Sequence, residues 1–211
     1  MSFQDVKVSE FLDVLASKAA VPGGGGASAL LGAMGSALGQ MVCNLTIGKK
    51  KYAAVEADVI AVCEKCRTLM VEFEQLIDED AVAFEPLSKA YGLPKETPEQ
   101  LEHRNAVMEE ALDTACSVPL KIMEKACECI DFLDELSEKG SALAISDVGV
   151  GAVCAKASLK GASLNIFINT DLMKNRERAA DYESKANGML DSYCAKADVI
   201  FDKVFGRITK K

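Results

Sequence analysis

This chain of 211 residues has no tryptophan, a single histidine, and aromatic residues at only 6% of its positions. A zinc site wants four ligands. His103 lies far in sequence from the two close cysteine pairs, Cys63-x-x-Cys66 and Cys127-x-Cys129, and each pair sits inside a helical pattern, so no metal or redox centre is expected. The eight cysteines read as reduced core residues rather than a disulfide framework. Basic surplus is missing as well: the net charge is −8 and only Lys49, Lys50 and Lys51 cluster, which argues against nucleic acid as a partner. No basic-then-apolar leader opens the chain, so a cytoplasmic location is expected. Strand-like alternation, repeats and low-complexity linkers are also missing, leaving one helical domain over residues 1–211.

The longest gap is in charge. From Ala19 to Gly48 there is no Asp, Glu, Lys or Arg. This run opens with Pro22-Gly23-Gly24-Gly25-Gly26 and is followed by Lys49-Lys50-Lys51, a pattern that predicts a glycine-rich loop, a neutral helix and a positive end. Successive glycines can adopt positive φ and expose N–H groups, and a helix start adds partial positive charge, so the loop is a candidate docking point for an anion or a polar heterocycle. Gln40, Asn44 and Thr46, together with abundant Ala and Gly, favour a buried helix over a membrane span. Small residues four apart, Gly32 with Ser36 and Gly35 with Gly39, allow close helix approach.

Helical periodicity covers most of the remainder. Phe11, Leu12, Leu15 and Ala16 share one face of a short first helix. The third helix carries the stripe Val59, Val62, Cys66, Leu69, Phe73, Leu76, Phe84, Leu87, with Asp80 filling its one gap. Gly92-Leu93-Pro94 stops it, and Thr97-Pro98-Glu99-Gln100 starts the fourth helix with a capping box. That helix should run toward Leu136 with a bend at Pro119. Residues 141–170 are again sparse in charge, and a charged amphipathic helix is expected from about Asp171 to Phe205. The prediction is an antiparallel bundle of about six helices, with the apolar second and fifth at its centre or at the face of a homodimer.

Asp80 continues a core-facing stripe, and a buried carboxylate needs a partner, a hydrogen bond or a proton. It is a candidate for chemistry, or it bonds a helix end or a lysine of a neighbour. Asp147, in a neutral run, is either functional or a first-turn cap alongside Ser146. Asn165 and Asn169 stand one turn apart, able to read the edge of a ring or to bond a neighbouring helix. In an unbroken fifth helix Asp147 and Asn165 lie about 27 Å apart, too far to share a ligand atom in one subunit. The three lysines are a solvated cluster or the receptor of an anionic tail.

In this order, Pro22-Gly23-Gly24-Gly25, Met41-Val42 with Leu45-Thr46, Gly48-Lys49-Lys50-Lys51-Tyr52, Asp80-x-x-Ala83-Phe84, Pro119-Leu120, Ser146-Asp147-Val148-Gly149, Gly161-Ala162 with Asn165, and Ile168-Asn169 resemble the cyclodeaminase/cyclohydrolase family. That family includes the C-terminal domain of formiminotransferase-cyclodeaminase and stand-alone bacterial methenyltetrahydrofolate cyclohydrolases. The resemblance covers nearly the whole chain and implies an all-helical homodimer acting on a tetrahydrofolate that can be polyglutamylated. It implies catalysis by Asp80 and Asp147, and substrate binding by Gly23, Gly24, Gly25, Gly26, Ser28, Lys49, Lys50, Lys51, Phe84, Asn165 and Asn169. Two departures stand out: Gly26 where a serine is frequent, with Ser28 two residues on, and Ser141 where asparagine is frequent.

Two reactions follow from the resemblance. A cyclohydrolase adds water to the amidinium carbon of 5,10-methenyl-tetrahydrofolate and opens it to 10-formyl-tetrahydrofolate; a cyclodeaminase closes the 5-formimino compound and expels ammonia. Neither needs a metal or redox cofactor. With no formiminotransferase region on the chain, cyclohydrolase is the expected activity. A non-catalytic folate binder and a helical adaptor remain the rivals from other classes.

Overall fold

The computed structural model describes residues 2, 3 and 5–209. Among them are six α-helices and no strand: α1 Val8–Leu15, α2 Gly24–Asn44, α3 Glu56–Tyr91, α4 Pro98–Lys139, α5 Ile145–Leu172 and α6 Arg176–Thr209. Five long helices form the bundle, and short α1 lies at its edge, anchored by Phe11.

Helix α5 is the hub, packed against α2, α4 and α6, while α2 also contacts α3 and α4. α2 and α5 run antiparallel. Gly24 faces Asn165 at one end, Gly35 faces the Gly151 carbonyl in the middle, and Thr46 Oγ1 accepts from the Ser141 N–H (2.8 Å) at the other. Glycine makes this closeness possible: a Cβ on Gly35 would stand 3.1 Å from that carbonyl, and one on Gly32 would strike the Phe73 ring. The predicted α3 stripe is buried from Val59 to Leu87 around a half-buried Asp80.

Four sequence expectations shift. The glycine run is not a loop with positive φ: α2 begins at Gly24, and Gly48 is the one positive-φ glycine among the described residues. Pro86 as well as Pro119 sits within a continuous helix. Asp171 ends α5, and α6 starts only at Arg176, because the Asn175 side chain accepts from the Arg178 N–H (3.0 Å) while Arg176 donates to the Thr170 carbonyl (2.6 Å). Ser146 and Asp147 do not occupy the N-cap of α5, which is Ala144; they stand two and three positions beyond it, with Asp147 in the first turn.

Both α2 and the 142–172 segment are long and apolar enough to cross a membrane, and 56% and 50% of their most apolar windows are buried inside the bundle. Their unburied halves lie side by side. Met34, Met41 and Leu45 are exposed on α2, and Val150, Val153, Leu164 and Ile168 on α5.

Candidate active site

Where the N-terminus of α2 meets α3, α4 and α5, a cavity of about 300 Å³ opens. Gly23, Gly24, Gly25, Asp80, Phe84, Asn165 and Asn169 line it, joined by Ala20, Val21, Tyr91, Ala115, Pro119 and Ile168. Seven expected site residues thus converge although they span 147 positions of sequence, from 23 to 169.

The helix start explains why the carboxyl fits. The first intrahelical bond of α2 runs from the Ala27 N–H to the Gly23 carbonyl (3.0 Å), leaving the N–H groups of Gly24, Gly25 and Gly26 without helical partners. Asp80 presses its carboxyl onto this turn. A Cβ on Gly25 would land on its oxygens, so glycine is required there for close approach rather than for unusual backbone angles. The Gly26 N–H, directed at the carboxyl, and the positive end of the helix favour the charged form. Burial opposes them and prevails, raising the Asp80 pKa from 3.8 to about 6. A carboxyl tuned there exchanges protons readily near neutrality.

The two asparagines are oriented by their own hydrogen bonds. Asn165 donates through Nδ2 to the Gly161 carbonyl (3.0 Å), and Asn169 through Nδ2 to the Ala115 carbonyl (3.3 Å). Each keeps its oxygen for a ligand donor. A Cβ on Gly24 would stand 3.3 Å from Asn165 Oδ1, so that amide lies across the helix start from Asp80.

The other expected residues lie elsewhere. Ser28 spends its hydroxyl on the Gly24 carbonyl (2.7 Å), packed beneath Gly161, and Gly26 is buried under the cavity floor. Lys49, Lys50 and Lys51 follow the far end of α2, about 30 Å from Gly24 for a 21-residue helix. There Lys49 Nζ donates to Ser141 Oγ (3.2 Å) and the Ala142 N–H donates to Tyr52 Oη (2.9 Å), tying the lysine turn to the start of α5. Asp147 belongs to the same end, half-buried and with no hydrogen bond or ion pair among the described residues. α5 is unbroken, so its distance from Asn165 remains about 27 Å. Within one chain, then, neither the lysines nor Asp147 lines the cavity.

Among the residues not singled out from the pattern, Tyr91 continues the α3 spacing of Asp80, Phe84 and Leu87. Ala20 and Val21 carry no functional-group signal. A larger chamber of about 700 Å³ abuts the site through Ala20, Val21 and Phe84. Its Asp78 is already engaged by the Ser2 hydroxyl and Phe3 N–H, both at 2.6 Å. The smaller cavity, which holds the raised carboxyl, is the candidate site.

Fold and cavity together define an all-helical protein that presents one buried carboxyl of raised pKa and paired amides at a bundle end. The model of the formiminotransferase-cyclodeaminase family matches residues 7–188, and the chain belongs to that family. It is 43% identical over 204 residues to the methenyltetrahydrofolate cyclohydrolase of Methylorubrum extorquens, covering 97% of this chain and 96% of that protein. It is 30% identical to the Sus scrofa formimidoyltransferase-cyclodeaminase, covering 93% of this chain but 36% of that longer protein. The crystal structure of formiminotetrahydrofolate cyclodeaminase from Thermotoga maritima superposes with a TM-score of 0.79 at 26% identity, covering 97% of this chain and 96% of that one.

Proposed function

We propose that this protein is a methenyltetrahydrofolate cyclohydrolase. The observation that carries the reading is the Asp80 carboxyl, held against the open turn of α2 with its pKa near 6. The near full-length likeness to a cyclohydrolase supports it.

The substrate carries a cationic amidinium carbon between two nitrogens. Ionised Asp80 stabilises that cation and takes a proton from water as its oxygen bonds to the carbon. The resulting adduct has one carbon bearing a hydroxyl and both nitrogens. Asp80 returns its proton to N5 as the C–N5 bond breaks, and the hydroxyl loses its proton to become the formyl carbonyl. The balance is one water consumed and one proton released. Gly24 and Gly25 line the cavity with N–H groups that have no helical partner, which suits the developing oxygen charge, while Asn165 and Asn169 offer acceptors to the pterin edge. Water is the sole co-reactant, so no metal or redox cofactor enters.

The chain works as a homodimer joined through the outer faces of α2 and α5, and the lysine turn receives a folate tail that can be polyglutamylated. Eight free cysteines suit the reducing cytoplasm. The test is loss of the methenyl chromophore with purified protein, measured above the buffer-catalysed rate. Turnover is expected, and the buffer rate alone would refute the assignment. The cyclodeaminase reading draws on the Thermotoga likeness and would appear as ammonia released from the 5-formimino compound.

A further inference from the structure

We infer that the pocket behind Tyr91, between the start of α4 and the α5–α6 turn, is a carboxylate subsite: Arg104 and Lys174 hold the two carboxylates of the glutamate carried by a substrate in the neighbouring cavity. This deepens the folate reading above and rests on it, naming the part of the substrate that this end of the bundle recognises.

The pocket, of about 190 Å³, is built by chain turns that meet at the cavity end. α3 stops at Tyr91 before Gly92-Leu93-Pro94, and α4 starts at Pro98, which puts Arg104 in its second turn. Lys174 lies between the end of α5 at Leu172 and the start of α6 at Arg176. Tyr91, 49% exposed, lines both this pocket and the candidate site, so the two spaces adjoin at one exposed ring.

Its charges are set for an anion. Glu109 is the one acid in the wall, and both its oxygens are taken: Oε2 accepts from the Lys174 N–H and Oε1 from the Asn175 N–H, each at 2.8 Å. Those bonds fix the turn onto α4 and so hold Lys174 beside Arg104. Neither the Lys174 ammonium nor the Arg104 guanidinium has an ion pair or hydrogen bond among the described residues, and Arg104 Nε is buried without an acceptor. A buried donor wants a partner, and the planar guanidinium fork matches a carboxylate. The other arginines differ: Arg176, Arg178 and Arg207 bond acceptors within the protein, and Arg67 is exposed.

The other ways out of the cavity suit a glutamate less well. The chamber beyond Phe84 has Asp78 and Glu85 in its wall against a single base, Lys89, which Glu85 already pairs at 2.6 Å. A doubly negative group is repelled there and attracted past Tyr91. The lysine turn stands about 30 Å from Gly24 in the same chain, farther than the single aminobenzoyl unit that joins the first glutamate to the pterin can span. Arg104 thus takes one carboxylate through its fork and Lys174 the other as a point charge.

Two substrates test this: methenyl-tetrahydrofolate, and methenyl-tetrahydropteroate, which lacks the glutamate. Wild type should favour the first by about tenfold or more in kcat/KM. Arg104→Gln should bring that preference close to one, through a KM for the glutamylated substrate raised about tenfold with kcat within about twofold of wild type. Lys174→Gln, on an exposed side chain, should raise the same KM about threefold. Equal loss on both substrates would mark Arg104 as structural and overturn the inference, as would a wild-type preference persisting in Arg104→Gln. Should Arg104→Gln not fold, Lys174→Gln decides alone, and an unchanged preference there overturns it. A free anion is the other source of a carboxylate: if formate raises the wild-type melting temperature, Arg104→Gln abolishes that gain and the substrate preference stays intact, the pocket serves the free anion and the inference falls. A wild type that turns over both substrates alike overturns the subsite and leaves the folate reading standing, whereas one that binds and turns over neither removes both.

Discussion

The two ends of the α2–α5 pair share one packing and carry opposite chemistry. At the Gly24–Asn165 end, a glycine turn, a buried carboxyl and two oriented amides enclose a cavity. At the Thr46–Ser141 end the lysine turn is bonded to the start of α5, with Lys50 and Lys51 exposed and Asp147 half-buried beside them. The first end encloses a space, whereas the second presents charge.

The sharpest way to break this comparison is to remove charge from the cavity end. Asp80→Asn keeps the shape but neither takes the proton nor balances the cation, so kcat should fall by about a hundredfold or more, while Glu99→Gln on the exposed surface leaves it unchanged. Stability should move the other way. The raised folded-state pKa means that Asp80 favours the fold when protonated, below about pH 4, and that this advantage is lost as pH rises through about 6. An elevation from 3.8 to about 6 corresponds to about 3 kcal/mol against the charged form, so Asp80→Asn should melt at or above wild type at pH 8. A variant that melts lower and turns over normally would make Asp80 structural.

Next comes the helix turn itself. Gly25→Ala puts a methyl where the Asp80 oxygens sit, displacing the carboxyl and lowering kcat by about tenfold or more in a folded protein. Unchanged kinetics would show that the close approach is dispensable. Gly32→Ala, mid-helix, meets the Phe73 ring instead. It should cost about 1–3 kcal/mol in chemical denaturation and leave turnover per folded molecule intact, separating packing glycine from site glycine. The smallest effect belongs to the far end: Lys50→Gln with Lys51→Gln should raise KM for a polyglutamylated substrate several-fold, with kcat and melting unchanged.

Much of this was legible in the sequence for a physical reason. A carboxylate in an apolar stripe conflicts with burial, so Asp80 announced itself, and Asn165 with Asn169 followed from one-turn spacing. The glycine run was visible, but its purpose was not. Pattern supports positive φ and close approach equally, and only the position of Asp80 over Gly25 decides between them. Ala20 and Val21 contribute walls without functional groups, which composition cannot flag. The start of α6 was missed by five residues: the Asn175 cap is a local signal that went unread, and the turn is also held from α4, where Glu109 accepts from the Lys174 and Asn175 N–H groups. Asp147 and the lysines were visible as charges in neutral surroundings, yet a single chain leaves them outside the cavity.

The proposed role of Asp80 as the group that exchanges the proton is tested most directly by the pH profile of wild-type turnover of methenyl-tetrahydrofolate, with the buffer reaction subtracted at each pH and Asp80→Asn measured alongside. The base form is the active one, so kcat/KM should rise through pH 6 and level off above about pH 7, while the residual rate of Asp80→Asn shows no such step. A wild-type profile without a break near pH 6, or the same break persisting in Asp80→Asn, would contradict it.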